Sequence, residues 1–163
     1  MQISELEEKI KANCINEAIK LIDEIGCRKD VQEVPLLIYY LVETDNNGLR
    51  NAIAVALSDI GSVEAVEPIV KMLKHPKTLR SRGTLLYALE AFDCSDYSEL
   101  ITELLFEDSF EVSRQSFLLL EANVDRISPE KKQKCIEKIQ RKMDSLNDKI
   151  EFLSESLNVL MDE

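Results

Sequence analysis

Apolar residues in this chain fall into short sets spaced by three and four, and the sets themselves recur. Leu37, Tyr40 and Leu41 are followed 32 residues later by Ile69, Met72 and Leu73, and again by Ile101, Leu104 and Leu105. A second series, Ile53, Ala56, Leu57 and Ile60, steps to Leu85, Ala88, Leu89 and Phe92, then to Phe117, Leu120, Glu121 and Val124. Of these 21 positions only Glu121 is polar. Spacings of three and four place each set on one helical face, so the pattern predicts three helical pairs with apolar sides that only neighbouring pairs can cover.

The flanks are less regular. Residues 3–25 read as two helices, the first carrying Ile3, Leu6 and Ile10, the second Ile15, Ala18, Leu21, Ile22 and Ile25, with Gly26 as the expected stop. Asp30–Glu33 and Asp96–Glu99 have the spacing of a capping box, and Ser62 is placed to cap the intervening copy. Beyond Asp125, Ser128-Pro129-Glu130 marks a helix start. Ile136, Ile139, Met143, Leu146, Ile150, Leu153, Leu157 and Leu160 then alternate steps of three and four, a heptad seam. One long helix, or a pair broken near Asp144-Ser145, fits that seam. The organisation is thus a single helical-repeat domain over 1–163: a degenerate N-terminal cap at 1–29, three regular repeats at 30–125 and a C-terminal cap at 126–163.

Leu49-Arg50, Ala56-Leu57 and Ile60-Gly61, with the early prolines Pro35 and Pro68, resemble the HEAT-repeat family, and its phycobilisome-lyase-type repeats in particular. The third copy keeps Arg114 but has Leu120-Glu121 where Ala-Leu is usual. The resemblance covers about residues 30–125. It implies an all-α, right-handed α-solenoid. Such repeats serve scaffolds, enzyme accessories and some enzymes, so it does not itself name an activity.

Composition narrows the function. Four Gly and four Pro in 163 residues suit helices joined by short turns. A net charge of −11 disfavours nucleic acid and anionic membranes as general partners. The longest apolar run, Val34 to Val42, is far too short to span a bilayer, and Met1 to Lys11 does not read as a secretory signal, so the cytoplasm is the expected location. Cys14, Cys27, Cys94 and Cys135 are scattered and there is one histidine, which suggests buried, reduced thiols and no metal site. No nucleophile-elbow, zinc-protease or phosphate-loop motif occurs, so neither an enzyme nor a cofactor is expected.

Three features carry candidate chemistry. Arg50, Arg82 and Arg114 repeat every 32 residues. In the family the chain resembles, this arginine pairs with an acid near the preceding turn; Asp45 and Asp108 are suitable here, whereas Lys77 occupies the middle place and leaves Arg82 as the free copy. Between Glu67 and Glu90 there is no acid, and Lys71, Lys74, Lys77, Arg80 and Arg82 contribute five positive charges around His75. That stretch is either a solvated loop or a rim that recognises an acidic segment or a phosphate. Finally, Val55, Tyr87 and Leu119 lie opposite the predicted core face, with Asn51, Ser58, Asp59, Gly83, Glu90 and Gln115 around them. They form either an exposed apolar stripe for a docked peptide, helix or protein surface, or a stripe buried by the terminal helices. The expected function is therefore a non-catalytic protein-interaction or scaffold module. The alternatives are self-association as a homodimer through residues 136–160, or service as a lyase-like enzyme accessory.

Overall fold

The computed structural model describes residues 5–161, all of whose regular elements are helical. Ile3, assigned to the first helix from the sequence, lies outside the described residues. Nine α-helices follow in order: α1 (Glu5–Lys11), α2 (Ile15–Arg28), α3 (Val34–Glu43), α4 (Asn47–Ile60), α5 (Val66–Lys74), α6 (Gly83–Ala88), α7 (Ser98–Leu104), α8 (Phe110–Asn123) and α9 (Pro129–Met161). The even-numbered helices α2, α4, α6 and α8 each pack on the next and form one layer. The odd-numbered helices form the other, with α3 against α5 and α7 against α9, and α3–α4, α5–α6 and α7–α8 join the layers.

The core sits between those layers, built from Leu37, Leu41, Ile53, Leu57, Ile69, Met72, Leu85 and Leu89, all buried. Helix ends follow local chemistry. Asn46 Oδ1 accepts the Leu49 N–H at 2.9 Å to start α4, and Gly61, in the left-handed region at φ 76°, ends it. The Ser128 hydroxyl accepts the Lys131 N–H at 3.3 Å at the head of α9. Pro35 and Pro68 fall in the first turns of α3 and α5, where a missing N–H costs nothing.

Several expected ends differ. Gly26 does not stop α2, which runs on to Arg28 and closes at Lys29 in the left-handed region. Gly26 is buried because α4 passes close by: a Cβ there would lie 3.0 Å from the Ala56 Cα and 3.2 Å from its Cβ. The glycine is a packing site between adjacent helices, a role invisible in a single helix's pattern. Neither expected capping box forms. Asp30 accepts the Gln32 N–H at 3.1 Å, Ser62 makes no side-chain cap, and Asp96 is engaged by Lys131 of α9. Short 3₁₀ turns at 31–33, 63–65 and 95–97 precede α3, α5 and α7, so the boxes sit one turn too early to cap the helices they were assigned to.

The third copy departs from the 32-residue step. On α8 the buried residues are Val112, Ser116, Leu119 and Asn123, while Phe117 and Val124 are exposed. These fall 63 residues after Leu49, Ile53, Ala56 and Ile60 of α4, as the α8 cap Ser109 does after Asn46. One residue is therefore missing between α7 and α8. In this register Leu119-Leu120 matches Ala56-Leu57, and Glu121 falls beside the surface positions Ser58 and Glu90, so the single polar exception disappears.

Residues 129–161 form one helix of 33 residues, without a break at Asp144-Ser145. Its first half packs on α7, where Lys131 reaches Asp96, Lys134 and Lys138 reach Glu99, and Lys138 also reaches Glu103. Lys142 lies 5.7 Å from the Phe106 ring centre. Cys135 is its one buried residue. Among the described residues no helix is long and apolar enough to cross a membrane.

Candidate protein-interaction surface

The arginine ladder resolves into three different environments. Arg50 is fully buried, and its guanidinium donates to the Thr44 carbonyl and to Asn47 Oδ1, tying the head of α4 to the turn before it. Burial pulls its pKa below the usual arginine value, against the opposing field of Asp45. Asp45 is not its fork partner: it lies 3.7 Å from Lys77, whose ammonium also donates to the Val42 carbonyl at 2.5 Å. Lys77 thus joins two successive repeats. Among the described residues, Arg82, expected to be free, is the one arginine of the three in an ion pair. It forms an ion pair with Glu107, and only 11% of its side chain is exposed. Arg114 is exposed on α8. Its assigned place belongs instead to Ser113, whose hydroxyl donates to the Glu107 carbonyl at 2.9 Å.

The positive stretch is accordingly reduced. Lys77 and Arg82 are spent on structural pairs, and His75 Nδ1 accepts the Lys77 N–H at 3.2 Å in a tight turn. Lys71, Lys74 and Arg80 remain exposed, near the exposed Leu79.

The apolar stripe is not continuous. Tyr87 is 54% exposed and Val55 half-buried, but Leu119 is fully buried, because the shifted register turns it into the core. The surface position of α8 equivalent to Tyr87 is the half-buried Leu118. Among the surrounding polar residues, Gln115 of α8 donates to Glu90 in the turn after α6, Asp59 is exposed, and Gly83 is buried against Glu111. Asn51 is half-buried, and its Oδ1 has no hydrogen-bond partner.

A different surface is better formed. Between α7, α8 and α9 lies an apolar groove of about 440 Å³. Phe117 and Leu120 of α8, with Val124 just past its end, form one wall, Ile136 and Ile139 of α9 the other, and Lys132 and Glu121 the polar edge. The origin of the groove is architectural. Phe117 is the counterpart of Ala54 on α4, 63 residues earlier, and of Leu86 on α6; both are fully buried, and α4 and α6 are each followed in their layer by a further helix. No described helix takes that place beside α8, which leaves Phe117 55% exposed.

The groove continues into the seam of α9. Ile136, Met143, Leu146, Ile150, Leu153, Leu157 and Leu160 are each exposed, the last at 79%. At about 1.5 Å per residue, the half of α9 beyond Met143 extends the surface by roughly 27 Å. So long an apolar row, joined to a groove of matching character, far exceeds the scattered exposure ordinary for a soluble surface. The heptad spacing pointed to the α9 part. The α8 part was hidden by the 32-residue alignment, which assigned Phe117 and Val124 to the core.

The cysteines divide evenly. Cys94 and Cys135 are buried, Cys14 is half-buried and Cys27 exposed; all four are free thiols. Burial, with a smaller contribution from Asp93, pushes the Cys94 thiol up to about 11. It is held as a packing residue, its backbone N–H bonded to Asn123 Oδ1 at 2.9 Å.

Comparison with protein-family models, with curated protein sequences and with solved structures returns no match for this chain.

Proposed function

We propose that this chain is a non-catalytic protein-interaction module, a HEAT-like, right-handed stack of helical pairs that receives a partner helix in the groove between α8 and α9. The observation that carries the reading is the vacant helix seat beside α8. Phe117 lies open where its counterparts Ala54 and Leu86 are covered, and the apolar row of α9 extends the same surface. A helix laid in the groove would bury apolar area at about 25 cal/mol per Å², along residues already fixed in position by the α7–α9 ion pairs. The Tyr87 side of α6 and the exposed lysines Lys71 and Lys74 then serve as ordinary solvated surface.

The test compares affinity capture from native cell extract by the wild-type chain and by Leu153→Glu. Leu153 is 65% exposed, so the variant should fold unchanged. The reading expects a specific set of captured chains, including copies of this one, to be lost with the variant. Identical capture by both chains would overturn it.

A further inference from the structure

Resting on the reading of α8–α9 as a helix-docking surface, we propose that its occupant is this chain's own residues 144–161. The long α9 interconverts between the straight helix and a helical pair whose second member folds back beside α8. Repeat spacing carries the proposal. A step of 34 residues takes α7 onto the first half of α9. It takes the buried Ile101 to the buried Cys135, and Thr102 and Leu105 to Ile136 and Ile139, four residues that all line the groove. It also takes the 3₁₀ turn Ser95–Tyr97 to the head of α9 at Pro129. Lys138, which falls on Leu104, is used instead for the ion pairs to Glu99 and Glu103.

The same step takes α8 onto the second half. Val112, Ser116, Leu119 and Asn123, the buried residues of α8, fall on Leu146, Ile150, Leu153 and Leu157. Two further positions go beyond what an apolar seam requires. Phe152, 67% exposed and outside the seam, falls on Leu118, the surface position that matches Val55 and Tyr87 and is apolar in every copy. Glu151 falls on Phe117, whose counterparts Ala54 and Leu86 are buried in helices that have a successor; a charge there suits the last helix of a stack. Ser154, on Leu120, is the polar exception of this half. The straight α9 is thus a fourth helical pair drawn out.

The turn between α7 and α8, residues 105–109, falls on 139–143. Just beyond it gather Asp144, Ser145, Asn147 and Asp148, residue types that favour a helix start. A bend there closes the seam on itself, Leu153 against Ile136 and Ile150 against Ile139. Because Ile136 and Ile139 already line the groove, the returning segment lies in it, over Phe117. Bending gives up about one turn of backbone hydrogen bonds and takes the apolar row and Phe117 out of water. Closed, the segment shuts the groove against a partner helix; open, it extends the groove.

The experiment is an electron–electron double-resonance distance measurement on the full chain. Spin labels go on Ala122→Cys and Asn158→Cys, both exposed sites, in a background of Cys14→Ser, Cys27→Ser and Cys135→Ala. The straight helix sets the labels roughly 40 Å apart, and the closed pair brings them below about 25 Å. About a tenth of the chains or more should show the short distance, and it should persist in about tenfold excess of unlabelled chain. Leu153→Glu, at a residue 65% exposed in the straight helix, and Phe117→Glu should each lower the short fraction at least about tenfold, with folding checked by circular dichroism. Val159→Glu, which falls on the exposed Asp125, should leave it unchanged. A long distance alone would overturn the proposal, as would a short one that vanishes in excess unlabelled chain, which arises between copies, or one indifferent to Leu153→Glu. A long distance alone, with capture from native extract still lost in Leu153→Glu, would sink the fold-back and leave the docking reading standing. Capture indifferent to that variant would remove both.

Discussion

Ser113 takes in α8 the place that Arg50 takes in α4: each side chain donates to the backbone carbonyl six residues before it, Glu107 in one case and Thr44 in the other. The same turn is fastened by a long charged group in one copy and by a short hydroxyl in the other. Arg50→Ala, which also leaves a cavity, should cost about 2–3 kcal/mol, as expected for losing buried hydrogen bonds from a charged donor, and Ser113→Ala about 1 kcal/mol. Urea unfolding monitored by circular dichroism measures both. A cost for Arg114→Ala larger than that for Ser113→Ala would contradict the register assigned to α8.

Arg82 and Glu107 join the start of α6 to the turn after α7, with the arginine largely out of solvent. A double-mutant cycle with Arg82→Met and Glu107→Gln should give a coupling of about 1–2 kcal/mol, above the usual range for exposed pairs. Additive losses would mean that the pair contributes nothing to joining the two elements.

Tyr87 and Leu119 share one position in the 32-residue alignment but opposite environments. Leu119→Ala should destabilise the chain by about 2–4 kcal/mol, the cost of a core truncation. Tyr87→Ala should change stability by no more than about 0.5 kcal/mol, as exposed substitutions generally do. Thermal or urea melts of the two variants separate these outcomes directly, and equal effects would be inconsistent with the burial difference.

Acid should weaken the turn before α7. The Asp93 carboxylate accepts the Ser95 N–H at 3.0 Å, and this backbone bond, aided by the Ser95 hydroxyl and Arg126, holds its pKa below the ordinary value. A lowered folded pKa means that the unfolded chain binds the extra proton. The contribution is therefore complete above the unfolded value of about 4 and is lost as pH falls through the folded one. Asp93→Ala should flatten the stability profile between about pH 5 and 3 relative to wild type, measured by urea midpoints.

Much of the helical architecture could be read from periodicity, because a buried helical face repeats in sequence whenever its neighbours repeat in space. Leu37, Ile69 and Ile101 kept that correspondence, and so did Ile53 with Leu85. It failed where packing set the phase of a helix independently of the residue count. The turn between α7 and α8 is one residue shorter, and α8 keeps its core contacts by shifting register, which moved Leu119 inward and Phe117 out. A gap placed before Ser109 would have aligned the caps Asn46 and Ser109 and exposed the shift. Partners across space were harder still. Nothing in the local sequence tells that Lys77 reaches Asp45, or that Gly26 is small because Ala56 is close.

At one end of the layer of even-numbered helices, α1 lies over α2 with Leu6 buried; at the other, α8 shows an uncovered apolar face. Among the described residues, the outer side of α2 carries the exposed Glu17, Lys20, Glu24 and Arg28, while the uncovered apolar face lies at the α8 end. If two copies join through it, each uses up the face that the other needs, and none is left for a third. Growth stops at a closed dimer, whereas a stack with a complementary face at each end could add copies head to tail into a filament. The asymmetry of its ends is therefore a limit on polymer formation, set by an apolar face at one end of the layer and a charged one at the other.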